Sequence, residues 1–134
     1  MWTIIAQYLV LLVSYAAWDT VMFTALAKPY YSRYYSNGIT RRWAAALVYL
    51  LYPLAVMYLT RDTSWKETVK KAAVLGVTGY GLYHLTNLAT LKTWPVEMPA
   101  TKHLKGWPYD MVILDTVSGM VVTILMATLR RTIA

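Results

Sequence analysis

The chain contains no cysteine. That excludes a disulfide framework and any thiolate metal site. Charge is also scarce: Asp, Glu, Lys and Arg make up 14% of the residues, against about 25% in an ordinary soluble domain. Only six residues are acidic. There is no phosphate-binding Gly-rich loop, no His-Glu-x-x-His pair and no serine nucleophile elbow, so the chemistries those motifs carry find no support. No repeat and no low-complexity tract appears, which excludes a solenoid. The first apolar block lacks a basic leading region, contains Asp19 and runs long before Lys28. It therefore reads as a retained first helix rather than a cleaved signal peptide.

What is present is apolar surface. Hydrophobic residues make up 58% of the chain, above the usual figure of about 45–50%. The excess falls in four blocks, residues 2–27, 43–60, 72–91 and 109–129. About 20 residues of helix cross a hydrocarbon core, and a domain of this size has too little interior to bury four such segments on all sides. The pattern predicts an all-α fold: an integral membrane bundle of four transmembrane helices in a single domain. The helices are expected over residues 3–27, 43–60, 65–91 and 109–129, with surface connections over 28–42 and 92–108.

Local punctuation supports these boundaries. Lys28-Pro29 closes the first helix, and Asn37-Gly38 marks a turn in the first connection. Lys28, Tyr30, Tyr31, Arg33, Arg41 and Arg42 suit a headgroup layer, as do Trp94 and Trp107 at the ends of the third connection. Pro53 removes a backbone hydrogen bond in the second helix and frees the Tyr49 carbonyl, which predicts a kink. Ser64 and Glu67 form a capping box for the third helix. Gly76, Gly79 and Gly81 allow close helix approach. The net charge of +7 sits in loops and at the C-terminal end, which fits anionic headgroups and topology better than nucleic acid. The expected partners are membrane lipids and other membrane protein subunits, with no nucleic acid.

Four spans put both termini on one side with the second connection. That side carries Arg61, Lys66, Lys70, Lys71, Arg130 and Arg131. The other carries Lys28, Arg33, Arg41, Arg42, Lys92, Lys102 and Lys105. So even a division sets no orientation under the positive-inside rule. Depth is better determined. Asp19, His84 and Asp115 each lie roughly 9–14 Å below the same boundary at the helical rise per residue. Asn87 shares the His84 face, and Ser118 and Gly119 share that of Asp115. Tyr15, Tyr49 and Tyr52 fall nearby. Ionisable groups in lipid are costly and usually face a protein interior, so Asp19, His84, Asn87 and Asp115 form the candidate intramembrane cluster. Its residues suit a structural hydrogen-bond network, a headgroup or ligand pocket, a proton or ion path, or a metal-dependent or catalytic site. No metal ligand set is assigned, and the pattern identifies neither a cofactor nor a catalytic residue.

The run Tyr83-His84-Leu85-Thr86-Asn87-Leu88-Ala89-Thr90-Leu91-Lys92-Thr93-Trp94-Pro95 resembles the central motif of the domain-of-unknown-function 2177 family of predicted four-helix membrane proteins. Asp19 followed by Ala27-Lys28-Pro29-Tyr30-Tyr31 is similar to that family's acidic first helix. Asp115 with Gly119 looks like its fourth-helix Asp and Gly. The resemblance implies four transmembrane helices and brings no activity with it. It also implies an Asp where His84 stands, and it makes residues 97–107 look like an insertion of about ten residues, suited to partner contact.

The function expected from these features is a non-catalytic accessory or structural subunit of a larger membrane complex, in an energy-converting bacterial or mitochondrial inner membrane. The alternative is a small transporter, a lipid-binding protein or a membrane enzyme that uses the Asp/His/Asn/Asp cluster.

Overall fold

The first helix leaves its α-helical geometry before it ends. α1 covers Trp2–Val21 and is followed by a π-helical turn, Met22–Leu26. A single regular helix is expected there from the apolar run alone. The Thr20 hydroxyl donates to the Ala16 carbonyl at 2.8 Å and the Thr24 hydroxyl to the Thr20 carbonyl at 2.5 Å. Such back-bonding competes with the backbone ladder and bends helices. The computed structural model describes residues 2–26, 42–90 and 109–133. The other helices are α2 (Arg42–Leu59), α3 (Trp65–Thr90) and α4 (Tyr109–Thr132).

Among the described residues the fold is all-α with four helices. Two of them, α1 and α4, are long and apolar enough to cross a membrane. The reading of membrane-length apolar segments is borne out for these two. In α2 the apolar run of residues 43–59 follows Arg42, and its uninterrupted described stretch is Ala46–Leu59. α3 is long, but its first two turns carry Lys66, Glu67, Lys70 and Lys71, and its later turns carry Thr78, Tyr80, His84, Thr86 and Asn87.

α3 begins where the capping box places it, with the Glu67 amide donating to Ser64 Oγ at 3.3 Å. Before it, the α2–α3 turn passes through Asp62, whose φ of 53° is left-handed; a short polar side chain tolerates that region better than most. α2 runs through Pro53. The hydroxyl that reaches this region from α1 is that of Tyr8, and it donates to the Leu50 carbonyl at 3.1 Å. It lands one residue from the carbonyl that Pro53 frees.

The core is small. Leu11, Tyr15, Val56, Ala72, Val122, Met126 and Ala127 are buried together, with Trp18, Tyr49, Tyr52 and Tyr80 packed against them. The outer surface is apolar: Leu9 and Val13 on α1, Leu47 and Leu51 on α2, Leu82 and Leu85 on α3, and Ile113 and Val117 on α4 are all exposed. That is the inverse of a soluble bundle, where contiguous apolar patches this broad are rare. α3 and α4 pack most tightly. A Cβ at Gly76 would lie 2.6 Å from the Gly119 carbonyl oxygen and from Met120 Cα, so the backbones meet where no side chain fits.

Candidate functional site

Four helices with apolar exteriors have to place their polar side chains between them, and they do so in layers. In the first, His84 Nε2 and Asp115 Oδ2 are 2.9 Å apart, joining α3 to α4. His84 is only 1% exposed, and the ring of Tyr83 stands edge-on to it at 5.0 Å. One proton between imidazole and carboxylate serves both groups, which is how a polar pair is accommodated in a low-dielectric interior. At a similar level Tyr49 donates its hydroxyl to Asp19 Oδ2 at 2.7 Å, joining α2 to α1. Trp18 Nε1 donates to Ser118 Oγ at 2.9 Å, joining α1 to α4.

The next layer is built from tyrosines. The hydroxyls of Tyr15 and Tyr80 are 2.7 Å apart, joining α1 to α3. Tyr52 lies 2.7 Å from Thr123 Oγ1, joining α2 to α4. Thr123 spends its own proton on the Gly119 carbonyl at 2.6 Å, so Tyr52 is the donor in that pair. The rings pack as well: Tyr15 lies 5.2 Å from Tyr49 and 5.3 Å from Tyr52, and Tyr52 meets Tyr80 edge-on at 5.8 Å. Aromatic pairs favour such tilted arrangements. Gly119 makes the layer possible, because a Cβ there would lie 2.2 Å from the Tyr80 ring.

Of the residues the sequence singles out, His84 and Asp115 meet directly, and Asp19 takes Tyr49 as its hydrogen-bond partner. The backbone of Asn87 lies in α3, one turn beyond His84; its side chain lies outside the described residues. Lys28, Tyr30, Tyr31, Arg33, Arg41, Trp94 and Trp107 lie outside them too, as do residues 97–107 and the side chain of Arg42. Trp18, Tyr80 and Thr123 belong to the network although the sequence reading passes over them. Helical spacing carries a signal for two of them: Tyr80 is four residues before His84, and Thr123 is four after Gly119. Among the described residues no group of three His, Cys, Asp or Glu side chains is placed to hold a metal.

A family model described as "Predicted membrane protein (DUF2177)" matches residues 4–101. No curated protein and no solved structure matches the chain.

Proposed function

The chain belongs to the DUF2177 family of predicted membrane proteins, and from that premise we propose that it is a four-span, non-catalytic subunit of a larger membrane complex. The observation that carries this reading is the pairing of five sets of polar side chains across different helices. Asp19 goes to Tyr49, Asp115 to His84, Trp18 to Ser118, Tyr15 to Tyr80 and Tyr52 to Thr123. Each bond joins two different helices, so each fixes the rotation and height of one against another. Such bonds contribute only about 0.6 kcal/mol apiece in a bilayer. Their sum sets register more than it supplies stability.

Two further observations support the reading. α3 directs Tyr80 and His84 into the bundle, so its polar content does not oppose a span, and Lys66, Lys70 and Lys71 gather in its first two turns, where headgroups would meet them. The outer apolar surface includes an open groove between α3 and α4, lined by Val77, Gly81, Leu82, Val112, Ile113 and Val117. Small and apolar linings of this kind suit an adjoining membrane helix.

The test is assembly. Solubilised from its native membrane in mild detergent, the chain is expected in a larger particle of fixed stoichiometry. Asp19→Asn and Asp115→Asn variants, which keep shape and lose charge, are expected in the same particle at near wild-type yield. Recovery as a lone chain, with a transport or enzymatic activity that Asp115→Asn abolishes, would refute the reading in favour of a working site.

A further inference from the structure

A second polar site lies at the end of the bundle that carries the α2–α3 turn, away from the tyrosine layers. A cavity of 410 Å³ there is lined by Gln7 of α1, by Arg61, Asp62 and Thr63 of the turn, and by Arg130 and Arg131 of α4, among others. Three guanidinium groups converge against one carboxylate. That carboxylate is engaged, since Asp62 Oδ2 lies 3.2 Å from Arg61 Nε. Neither Arg130 nor Arg131 forms an ion pair among the described residues.

Their hydrogen bonds go to neutral acceptors instead. Arg130 Nη2 donates to the Thr60 carbonyl at 2.6 Å. Arg131 Nη1 donates to the Thr63 carbonyl and, at 3.1 Å, to Thr68 Oγ1, and its guanidinium lies over the Trp65 ring at 5.0 Å. These bonds supply donors to carbonyls of the α2–α3 turn, where the Thr60 carbonyl also accepts from the Thr63 hydroxyl at 3.0 Å. They do not neutralise the arginines. Arg130 is 6% exposed, and its Nε is buried without a hydrogen-bond partner among the described residues. Gln7 is 8% exposed and makes no side-chain hydrogen bond to a described residue.

The charge count at this site does not close among the described residues. Three arginines against Asp62 leave two positive charges. The carbonyl ends of α2 and α4 offset roughly half a charge each, which leaves an excess of about one. A buried, unbalanced cation is costly unless something pairs with it. The free donors approach from α1, the turn and α4, a spread that suits a tetrahedral acceptor with several oxygens. Guanidinium forks are well matched to phosphate.

We propose that this cavity binds a phosphate group, held by Arg61, Arg130 and Arg131 with the Gln7 amide, and that the bound anion ties the α2–α3 turn to α1 and the end of α4. The site shares no residue with the interhelical network, so it stands or falls separately from the subunit reading. The phosphate belongs either to an anionic lipid headgroup or to a soluble phosphate, and the two are separable by experiment.

The full chain, delipidated in a neutral detergent, is titrated with inorganic phosphate and, separately, with phosphatidylglycerol in mixed micelles, with binding and thermal unfolding followed together. One ligand per chain is expected, with a rise in unfolding temperature. Saturation by inorganic phosphate identifies a soluble ligand; saturation by phosphatidylglycerol alone identifies a headgroup. Arg130→Gln removes a buried bond to the α2–α3 turn and can fail to fold, so the informative variants are Arg61→Gln, which is exposed at the rim, and Gln7→Met. Each is expected to fold and to bind roughly tenfold more weakly, the effect of one charge-assisted hydrogen bond. Binding of neither probe by the wild-type chain, or undiminished binding by Arg61→Gln, would overturn the proposal.

Discussion

Replacing Gly119 by alanine tests whether the tyrosine layer depends on a bare stretch of α4. The new Cβ would sit 2.2 Å from Cγ and Cδ2 of Tyr80, whereas ordinary contact begins at 3.4 Å. The ring must therefore withdraw by about 1.2 Å, the difference between the two. It has little room to do so: Tyr52 stands edge-on behind it at 5.8 Å, and its hydroxyl is held 2.7 Å from that of Tyr15. Overpacking of this kind costs about 1–3 kcal/mol, and the loss of the Tyr15 bond adds about 0.6 kcal/mol. Alanine returns up to about 1 kcal/mol of helix propensity. The net expectation is a destabilisation of about 1–3 kcal/mol, read as an earlier midpoint when the chain is unfolded by sodium dodecyl sulfate in mixed micelles and followed by circular dichroism. Gly79 is the internal control, because a Cβ there meets Tyr52 Cε2 at 3.5 Å, an ordinary contact. Gly79→Ala is expected to be neutral or slightly stabilising. In a Tyr80→Ala background the Gly119→Ala penalty should disappear. If Gly119→Ala unfolds with the wild type, or if its penalty survives intact without the Tyr80 ring, the packing argument is wrong.

Two further expectations concern topology and local stability. Single cysteines introduced at Thr3 and Thr132 should be labelled from the same side of sealed vesicles; labelling from opposite sides would sink the four-span reading. Ser64→Ala removes the acceptor that holds the Glu67 amide and should cost about 1 kcal/mol of unfolding free energy, with helical content otherwise unchanged. An unaltered unfolding midpoint would mean the cap carries no stability.

How far the residues announce the fold depends on the scale of the signal. Apolar blocks and the Ser64–Glu67 capping pattern suffice for four helices and for the start of α3; the Lys28-Pro29 stop lies outside the described residues. Membrane-length character is plainest in α1 and α4, because the capped and charged start of α3 dilutes its apolar content. Depth counting brings Asp19, His84 and Asp115 to one level, but rotation decides partners, and rotation is a tertiary quantity. That is why Asp19 meets Tyr49 rather than the other two residues, and why Tyr80 and Trp18 read in sequence as ordinary membrane aromatics. The π turn after Val21 has no distinguishing pattern, since the same residues suit an α-helix. Arg130 and Arg131 read locally as a basic stop. Their part in closing the α2–α3 turn exists only because the end of α4 lies beside Thr60 and Thr63.

The interhelical hydrogen bonds have a consequence that follows from their connectivity alone. Treat each helix as a node and each bond as an edge: α1 is linked to α2, α3 and α4, α2 also to α4, and α3 also to α4. Every node has at least two edges, so no single deletion disconnects a helix. Among the described residues, detaching α3 requires the loss of Tyr15–Tyr80, His84–Asp115 and the Arg131–Thr68 bond; detaching α2 requires the loss of Tyr52–Thr123 together with Asp19–Tyr49 and the supplementary Tyr8–Leu50 bond. Single substitutions at these positions therefore fall on a redundant mesh, and loss of arrangement should emerge as a threshold in the number of edges removed. A chain wired in this way can exchange one bonded pair at a time, drifting in sequence while its helices keep their places.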